Sequence, residues 1–301
     1  MEWILFSLLV PIFGAWNNVV DQVLVRRYFS ENGLTALVLG SLTYIVVLPF
    51  VAVFFPAVFD IESANAFYLF LLGLASPFIW FPYFWSLERD DASVAMPTLQ
   101  TMPVWVFILG FVFLGEVPTT MNLVGAAMIV LASMAMTADF SRRNIRLRTF
   151  AMMLLCAILF AVQTYFFRLT AINLESLIAS FWVAVGFGVF GALAIFGLKR
   201  FRDPAFTSIR QTKGLILIPS AGQEFSYFLT IIFTIIAMET APVAGLVPTL
   251  FGFQPFFVIL FSLLACRWFK DCFEQTKIDR FFYFQLVCLA FMIGGLYLFF
   301  V

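Results

Sequence analysis

Ionisable side chains inside apolar segments are the residues of this sequence best suited to chemistry. Glu224 lies well inside such a segment, beside Gln223 and Phe225. An apolar surrounding disfavours the ionised carboxylate, so an acid placed there needs a compensating role. Two interpretations stay open: Glu224 carries a proton or binds the amine of a ligand, or it is a neutral acid that hydrogen-bonds a neighbouring helix.

Asp21 and Arg168 occupy comparable positions in two other apolar segments. Asn17 and Asp21 share one helix face at a spacing of four residues, as do Thr164 and Arg168. If these two faces meet, Asp21 and Arg168 can form a substrate or gating pair. The alternatives are a structural salt bridge between Asp21 and Arg168, or that each of the two reaches the membrane interface separately.

Uncharged polar side chains cluster around these positions and on two further segments. The cluster comprises Trp16, Asn17, Asn18, Thr98, Gln100, Gln163, Thr164, Thr249 and Gln254. These residues can line a cavity and offer donors and acceptors to a polar ligand. The alternative is hydrogen bonding between neighbouring helices. Among the 42 phenylalanines, Phe225, Phe251 and Phe253 are candidates for the apolar part of such a cavity.

Four prolines interrupt two apolar segments at matching places: Pro97, Pro103, Pro248 and Pro255. Proline removes a backbone hydrogen bond and kinks a helix. Paired interruptions in two halves of a chain point to a transporter binding site. The alternative is that the kinks serve packing alone.

The composition places these residues in a membrane. Hydrophobic residues make up 63% of the 301 residues and charged residues 11%, whereas charged residues are about a quarter of a soluble domain. The net charge is zero, which gives no indication of nucleic-acid binding. The chain contains no histidine, which is the commonest general base and metal ligand, and no C-x-x-C pair, so we identify no catalytic or metal-binding residue and expect no enzymatic activity.

The apolar segments are long enough to span a bilayer as helices. They lie roughly at 3–25, 34–56, 65–87, 92–115, 121–138, 149–171, 174–197, 214–238, 242–265 and 281–301. The first has no basic residue before it, so we expect it to be retained rather than cleaved. The sequence predicts an all-α integral membrane protein of about ten transmembrane helices.

The two halves of the chain resemble each other. Ala-Ser-Val-Ala-Met-Pro-Thr-Leu at 92–99 corresponds to Ala-Pro-Val-Ala-Gly-Leu-Val-Pro-Thr-Leu at 241–250, and Pro103 corresponds to Pro255. We therefore predict two five-helix repeats, 1–138 and 149–301, joined by the basic linker 139–148. An odd number of helices reverses the orientation of the second copy, which gives the inverted repeat typical of secondary transporters.

The distribution of basic residues predicts an orientation. All Lys and Arg residues except Arg168 lie in or beside alternate links between the predicted helices. Such links are normally cytoplasmic, which would place both termini outside.

The glycine pattern Gly186-Phe-Gly188-Val-Phe-Gly191 lies inside an apolar segment with no preceding strand. Dinucleotide binding requires that strand, so close helix packing is the better interpretation.

Several short motifs carry a family resemblance. Ala92-Ser-Val-Ala, Pro103-Val104, Leu114-Gly115-Glu116 and Leu123-Val124-Gly125-Ala126, partly repeated at 241–299, resemble the EamA family of the drug/metabolite transporter superfamily. The resemblance implies a fold of ten helices in an inverted repeat. It further implies a protein that transports amino acids, other metabolites or drugs by alternating access and binds no cofactor. It also implies cytoplasmic termini, contrary to the charge distribution. In the second half, Ala265-Cys266-Arg267 replaces Leu-Gly-Glu.

These features predict a secondary transporter of a small organic solute in the plasma membrane, as a monomer or homodimer, with protons as a candidate coupling ion. A lipid-modifying membrane enzyme and a non-transporting scaffold or sensor are the alternatives.

Overall fold

The computed structural model describes residues 2–28, 33–87, 98–137, 147–171, 174–266 and 280–300, and these contain helices and no strand. In the first half the helices are α1 (Glu2–Tyr28), α2 (Gly33–Phe54), α3 (Ser63–Leu87), α4 (Met102–Leu109) and α5 (Thr120–Thr137). In the second half they are α6 (Leu147–Ala171), α7 (Ser176–Gly197), α8 (Lys199–Gln211), α9 (Leu217–Thr240), α10 (Leu246–Leu250), α11 (Gln254–Ala265) and α12 (Arg280–Tyr297).

The helices have the lengths and composition of membrane spans. Within the described residues, seven helical stretches are long and apolar enough to cross a bilayer, and three shorter apolar ones are Met102–Leu114, Thr120–Met136 and Phe282–Tyr297. Large apolar side chains such as Val53, Phe113 and Phe196 are exposed on the outside, where lipid replaces water as the solvent. The predicted all-α integral membrane fold is confirmed, while the number of ten spans stays a prediction.

Helices at corresponding positions in the two halves contact corresponding partners in the opposite half. Helix α1 packs against α9 and α11, and its counterpart α6 packs against α3 and α4. Helix α2 packs against α9, as α7 does against α3, and the pairs α2–α7 and α5–α12 each join a helix to its counterpart. The contacts between the two halves are therefore reciprocal.

Close packing of α7 depends on the glycines of the Gly-x-Gly-x-x-Gly pattern. A Cβ on Gly186 would collide with the backbone of α3 at Phe70, and one on Gly191 would collide with α2 at Ser41 and Leu42. The pattern therefore brings helices together, as the sequence indicates.

The prolines divide the fourth and ninth apolar segments. Pro103 stands in the first turn of α4, and Pro255 in the first turn of α11, where its missing N–H costs no helical hydrogen bond. A 3₁₀ turn, Phe251–Phe253, separates α11 from α10, which contains Pro248. Pro97 lies outside the described residues. The link after α7 contains a helix, α8, that the apolar pattern did not predict.

Candidate functional site

A cavity of about 750 Å³ lies among the helices of both halves. This volume falls in the range of small-molecule sites. Its polar lining consists of Asn17, Asn18, Asp21, Gln100, Gln163, Thr164, Gln223, Glu224, Thr230, Thr234, Gln254 and Gln285. Pro103, Pro248 and Pro255 line it too, so the two apolar segments that proline interrupts, the fourth and the ninth, border the cavity.

Asp21 and Glu224 form an acidic wall of this cavity, one from each half of the chain. The Gln223 side chain donates a hydrogen bond from Nε2 to Asp21 Oδ1 over 2.6 Å, which joins α1 to α9. The Asp21 and Glu224 carboxyl groups are close enough to interact electrostatically. Asp21 and Glu224 are the only acids in the described lining, which includes no Lys or Arg.

Glu224 is held against α2 by two local features. It is 5% exposed, and its backbone carbonyl accepts a hydrogen bond from the Tyr44 hydroxyl at 3.1 Å. Its carboxyl group lies against Gly40, where a Cβ would stand 3.3 Å from the carboxyl carbon and closer still to Oε1. Glycine at position 40 thus gives the carboxyl group its space beside the α2 backbone.

The neutral polar residues of α1 and α6 differ in how their hydrogen bonds are satisfied. Gln163 donates from Nε2 to Ser76 Oγ at 2.5 Å, which joins α6 to α3. Asn17 is 7% exposed, and its Oδ1 has no hydrogen-bond partner in the described part of the chain. A buried acceptor without a partner costs free energy. Because Asn17 lines the cavity, a ligand donor there would satisfy it.

Aromatic rings form much of the remaining wall. They are Trp80, Tyr83, Phe160, Phe167, Phe187, Tyr227 and Phe251. Trp80 meets Phe160 edge to face, with ring centroids 4.7 Å apart. Of the three predicted phenylalanines, Phe251 lines the cavity, Phe225 is exposed and Phe253 is buried in the core.

Trp80 and Tyr83 of α3 were not predicted as site residues. Aromatic residues in apolar segments also face lipid, so residue type alone does not distinguish a cavity wall. The available signal was the pair Pro77 and Pro82, which lie inside α3 on either side of Trp80.

The predicted contact between Asp21 and Arg168 is wrong. Arg168 instead forms an ion pair with Glu116, with Nη2 and Nε at 3.0 and 3.1 Å from Oε1. It also donates to the Met238 carbonyl, and Glu116 Oε2 accepts from the Ala244 N–H at 2.6 Å. Arg168 lies in the last turn of α6 and outside the cavity lining. Asp21, on α1, instead accepts a hydrogen bond from Gln223.

Gly115 explains how Glu116 reaches Arg168. The π turn Gly110–Leu114 ends at Gly115, whose φ of 67° is a left-handed conformation that glycine adopts without strain. The helix ends there, and the Glu116 N–H donates a hydrogen bond to the Gly110 carbonyl at 3.1 Å. The Leu-Gly-Glu motif thus directs an acid onto the second half. The corresponding Arg267 lies outside the described residues.

Three other predicted polar residues lie outside the cavity. Trp16 is 48% exposed and meets Phe261 edge to face. Thr249 donates to the Gly245 carbonyl, and Thr98 is buried with its carbonyl bonded to Thr101. In the part of the chain that the structure describes, no group of three or more His, Cys, Asp or Glu side chains could hold a metal ion.

Comparison with known proteins gives three similarities. Residues 1–138 match the family model of the EamA-like transporter family. Over 128 residues, 42% of this chain and 91% of the other, the chain is 29% identical to a Sinorhizobium sp. protein named "Uncharacterized transporter in cobO 3'region". A solved structure described as "Crystal structure of protein" superposes with a TM-score of 0.69 and 15% identity, covering 99% of this chain and 95% of that one. At that identity the third similarity shows the fold alone.

Proposed function

We propose that this chain is a transporter of the EamA-like kind, whose family model matches residues 1–138, and that it carries a small organic solute across the plasma membrane by alternating access. It is a multi-pass membrane transporter of the drug/metabolite type. The cavity between the halves is the proposed solute site. The observation that carries this proposal is the acidic wall of Asp21 and Glu224 inside that cavity.

The charge of the lining supports a solute with a positively charged amine. Two carboxyl groups face the cavity, and its described lining includes no basic side chain. An amine is a donor to both acids and to Asn17 Oδ1, which otherwise has no partner among the described residues. Rings such as Trp80 and Tyr227 can contact the cation face-on and enclose an apolar or aromatic part of the solute.

The same wall supports protons as the coupling ion. Asp21 and Glu224 line the same cavity, and two carboxylates that share a site repel each other when both are ionised. A bound amine favours the ionised form, so amine binding releases a proton and a proton competes with the amine. We therefore expect amine affinity to fall as the pH falls.

The reciprocal helix contacts between the halves support the proposal that 1–138 and 149–301 are inverted repeats, separated by the linker 139–148. In such an architecture the site lies between the halves, and rocking of one half against the other opens it to each side in turn. Asp21 and Glu224 come from different halves, as this placement requires.

The test is a thermal-stability screen of the purified protein in detergent, with primary amines, neutral analogues of the same size and organic anions at pH 6 and pH 8. A ligand at 100 times its Kd stabilises by about 2.7 kcal/mol. We expect amines alone to stabilise, more strongly at pH 8, and Glu224→Gln to remove most of the effect.

Glu239→Gln is the matched control, because Glu239 is an exposed acid of the same helix outside the cavity. It should behave as the wild type. Equal binding of amines and anions, or equal behaviour of the two variants, would overturn the assignment of the acidic wall. Stability that no solute changes would favour the enzyme or scaffold alternatives.

A further inference from the structure

Helix α8 combines a buried face with an exposed basic face. Ala205 and Ser208 are buried, and Phe201 and Ile209 pack onto a cluster formed with α2 and α7. The exposed basic residues on and after α8 are Lys199, Arg200, Arg210 and Lys213. A helix of this kind is typical of the membrane interface, where basic residues meet lipid headgroups.

Four of the five basic residues on and just after α8 have no acidic partner among the described residues. Arg202 pairs with Asp203 at 3.3 Å. Within the described residues, Lys199, Arg200, Arg210 and Lys213 have no ion pair, and Arg200 contacts the Phe201 ring at 5.9 Å. Among the described residues, no acid neutralises these four positive charges.

An apolar groove of about 340 Å³ opens next to this helix. Its wall comes from α2, α3 and α7, and it is formed by Leu34, Leu37, Val38, Pro77, Phe78, Phe81, Phe190, Leu193, Ala194 and Leu198, with Arg200 and Phe201 at the α8 end. Arg200 is the one charged side chain among these described lining residues. Phe78 and Leu193 are more than half exposed, so the groove opens toward the acyl chains of the bilayer.

We propose that this groove binds an anionic phospholipid, with an acyl chain along the apolar wall and the phosphate on Arg200. A molecule that contacts both the apolar wall and Arg200 must be amphipathic and negatively charged at one end. The groove lies where a bilayer supplies such molecules, and basic pockets between transmembrane helices hold anionic headgroups in this way. No acid lines the groove, and Leu37 is the one described lining residue that it shares with the cavity of the acidic wall.

The experiment titrates the detergent-purified protein with short-chain phosphatidylglycerol and measures thermal stability. Phosphatidylcholine with the same chains tests the charge, and glycerol phosphate without chains tests the apolar part. We expect phosphatidylglycerol to stabilise at the lowest concentration and glycerol phosphate to have no effect. Equal potency of the two lipids would overturn the proposal, as would stabilisation by glycerol phosphate alone.

Arg200→Gln and Arg210→Gln are the matched variants, because both arginines are exposed on α8 and Arg200 alone of the two lines the groove. One basic residue near a membrane surface contributes enough for Arg200→Gln to raise the half-maximal lipid concentration about fivefold. Arg210→Gln should leave it unchanged. Leu193→Trp, which fills the exposed edge of the groove, should weaken lipid binding while leaving the lipid-free melting temperature unchanged. Equal effects of the two arginine variants would contradict the site.

Discussion

Asn17 and Gln163 are buried amides that line one cavity, yet we expect opposite consequences when each is replaced by leucine. Asn17 Oδ1 has no described partner, so Asn17→Leu should leave the solute-free protein as stable as the wild type or more stable. Gln163 donates to Ser76 Oγ, and its loss should destabilise the protein by about 1–3 kcal/mol. Chemical unfolding in detergent measures both changes.

Asn17→Leu should also change the binding of the solute. If Asn17 Oδ1 accepts a hydrogen bond from the solute, Asn17→Leu should abolish most of the amine-induced stabilisation despite its stable fold. A leucine variant that binds amines as well as the wild type would show that this acceptor is not used. Such a separation of stability from binding is expected at a functional site.

The site residues that could be predicted from the sequence share one property. Asp21, Gln163 and Glu224 are polar groups in apolar segments, where the cost of burial demands a partner or a cavity. Trp80 and Tyr83 could not be identified in this way, because an aromatic side chain is equally stable against lipid, core or ligand. The sequence pattern therefore predicts the polar part of the cavity better than the apolar part.

At the scale of elements, the ion pair of Glu116 with Arg168 connects the turn after α4 to the end of α6. Its side chains are 11% and 12% exposed, so removal of one partner leaves a nearly buried charge. We expect Arg168→Gln to destabilise the protein by about 3–5 kcal/mol. Thermal or chemical unfolding in detergent measures the loss.

An exposed ion pair provides the control for this prediction. Asp203→Asn removes the partner of Arg202 on α8, where both side chains reach solvent, and should change stability by less than about 1 kcal/mol. Equal effects of Arg168→Gln and Asp203→Asn would mean that the Glu116 contact does not hold α4 against α6.

The elements themselves were predictable to different degrees. Long apolar segments predicted the spanning helices, because their length and composition match the bilayer. Helix α8 did not follow from that pattern, since a polar helix at an interface is not an apolar run. The contact between Glu116 and Arg168 joins residues far apart in the sequence, and no local rule links them. The left-handed backbone conformation of Gly115 places the Glu116 side chain within reach of Arg168.

At the scale of the whole molecule, the orientation in the membrane can be decided by thiol labelling. In a background with Cys266→Ser and Cys272→Ser, Glu175→Cys and Thr207→Cys place single exposed thiols before α7 and on α8. If the basic links are cytoplasmic, a membrane-impermeant reagent added to intact cells labels Glu175→Cys alone. Thr207→Cys reacts only after lysis.

The reverse labelling pattern would place the basic face outside and agree with the orientation implied by the family resemblance. The helix contacts of the fold are compatible with either outcome. The result fixes which side of the membrane each end of the helices faces and hence, under the proposed proton coupling, the direction in which a proton gradient acts.

The acidic wall is built from both halves of the chain, with Asp21 on α1 and the pair Gln223 and Glu224 on α9. Any displacement of one half relative to the other changes the distance between the two carboxyl groups. Protonation and conformation are then thermodynamically linked. If a bound proton shifts the equilibrium between inward and outward states by some free energy, the change between those states alters the free energy of proton binding by the same amount. Under the proposed proton coupling and alternating access, energy conversion needs no separate relay, because a single carboxyl pair responds to both the ion and the movement.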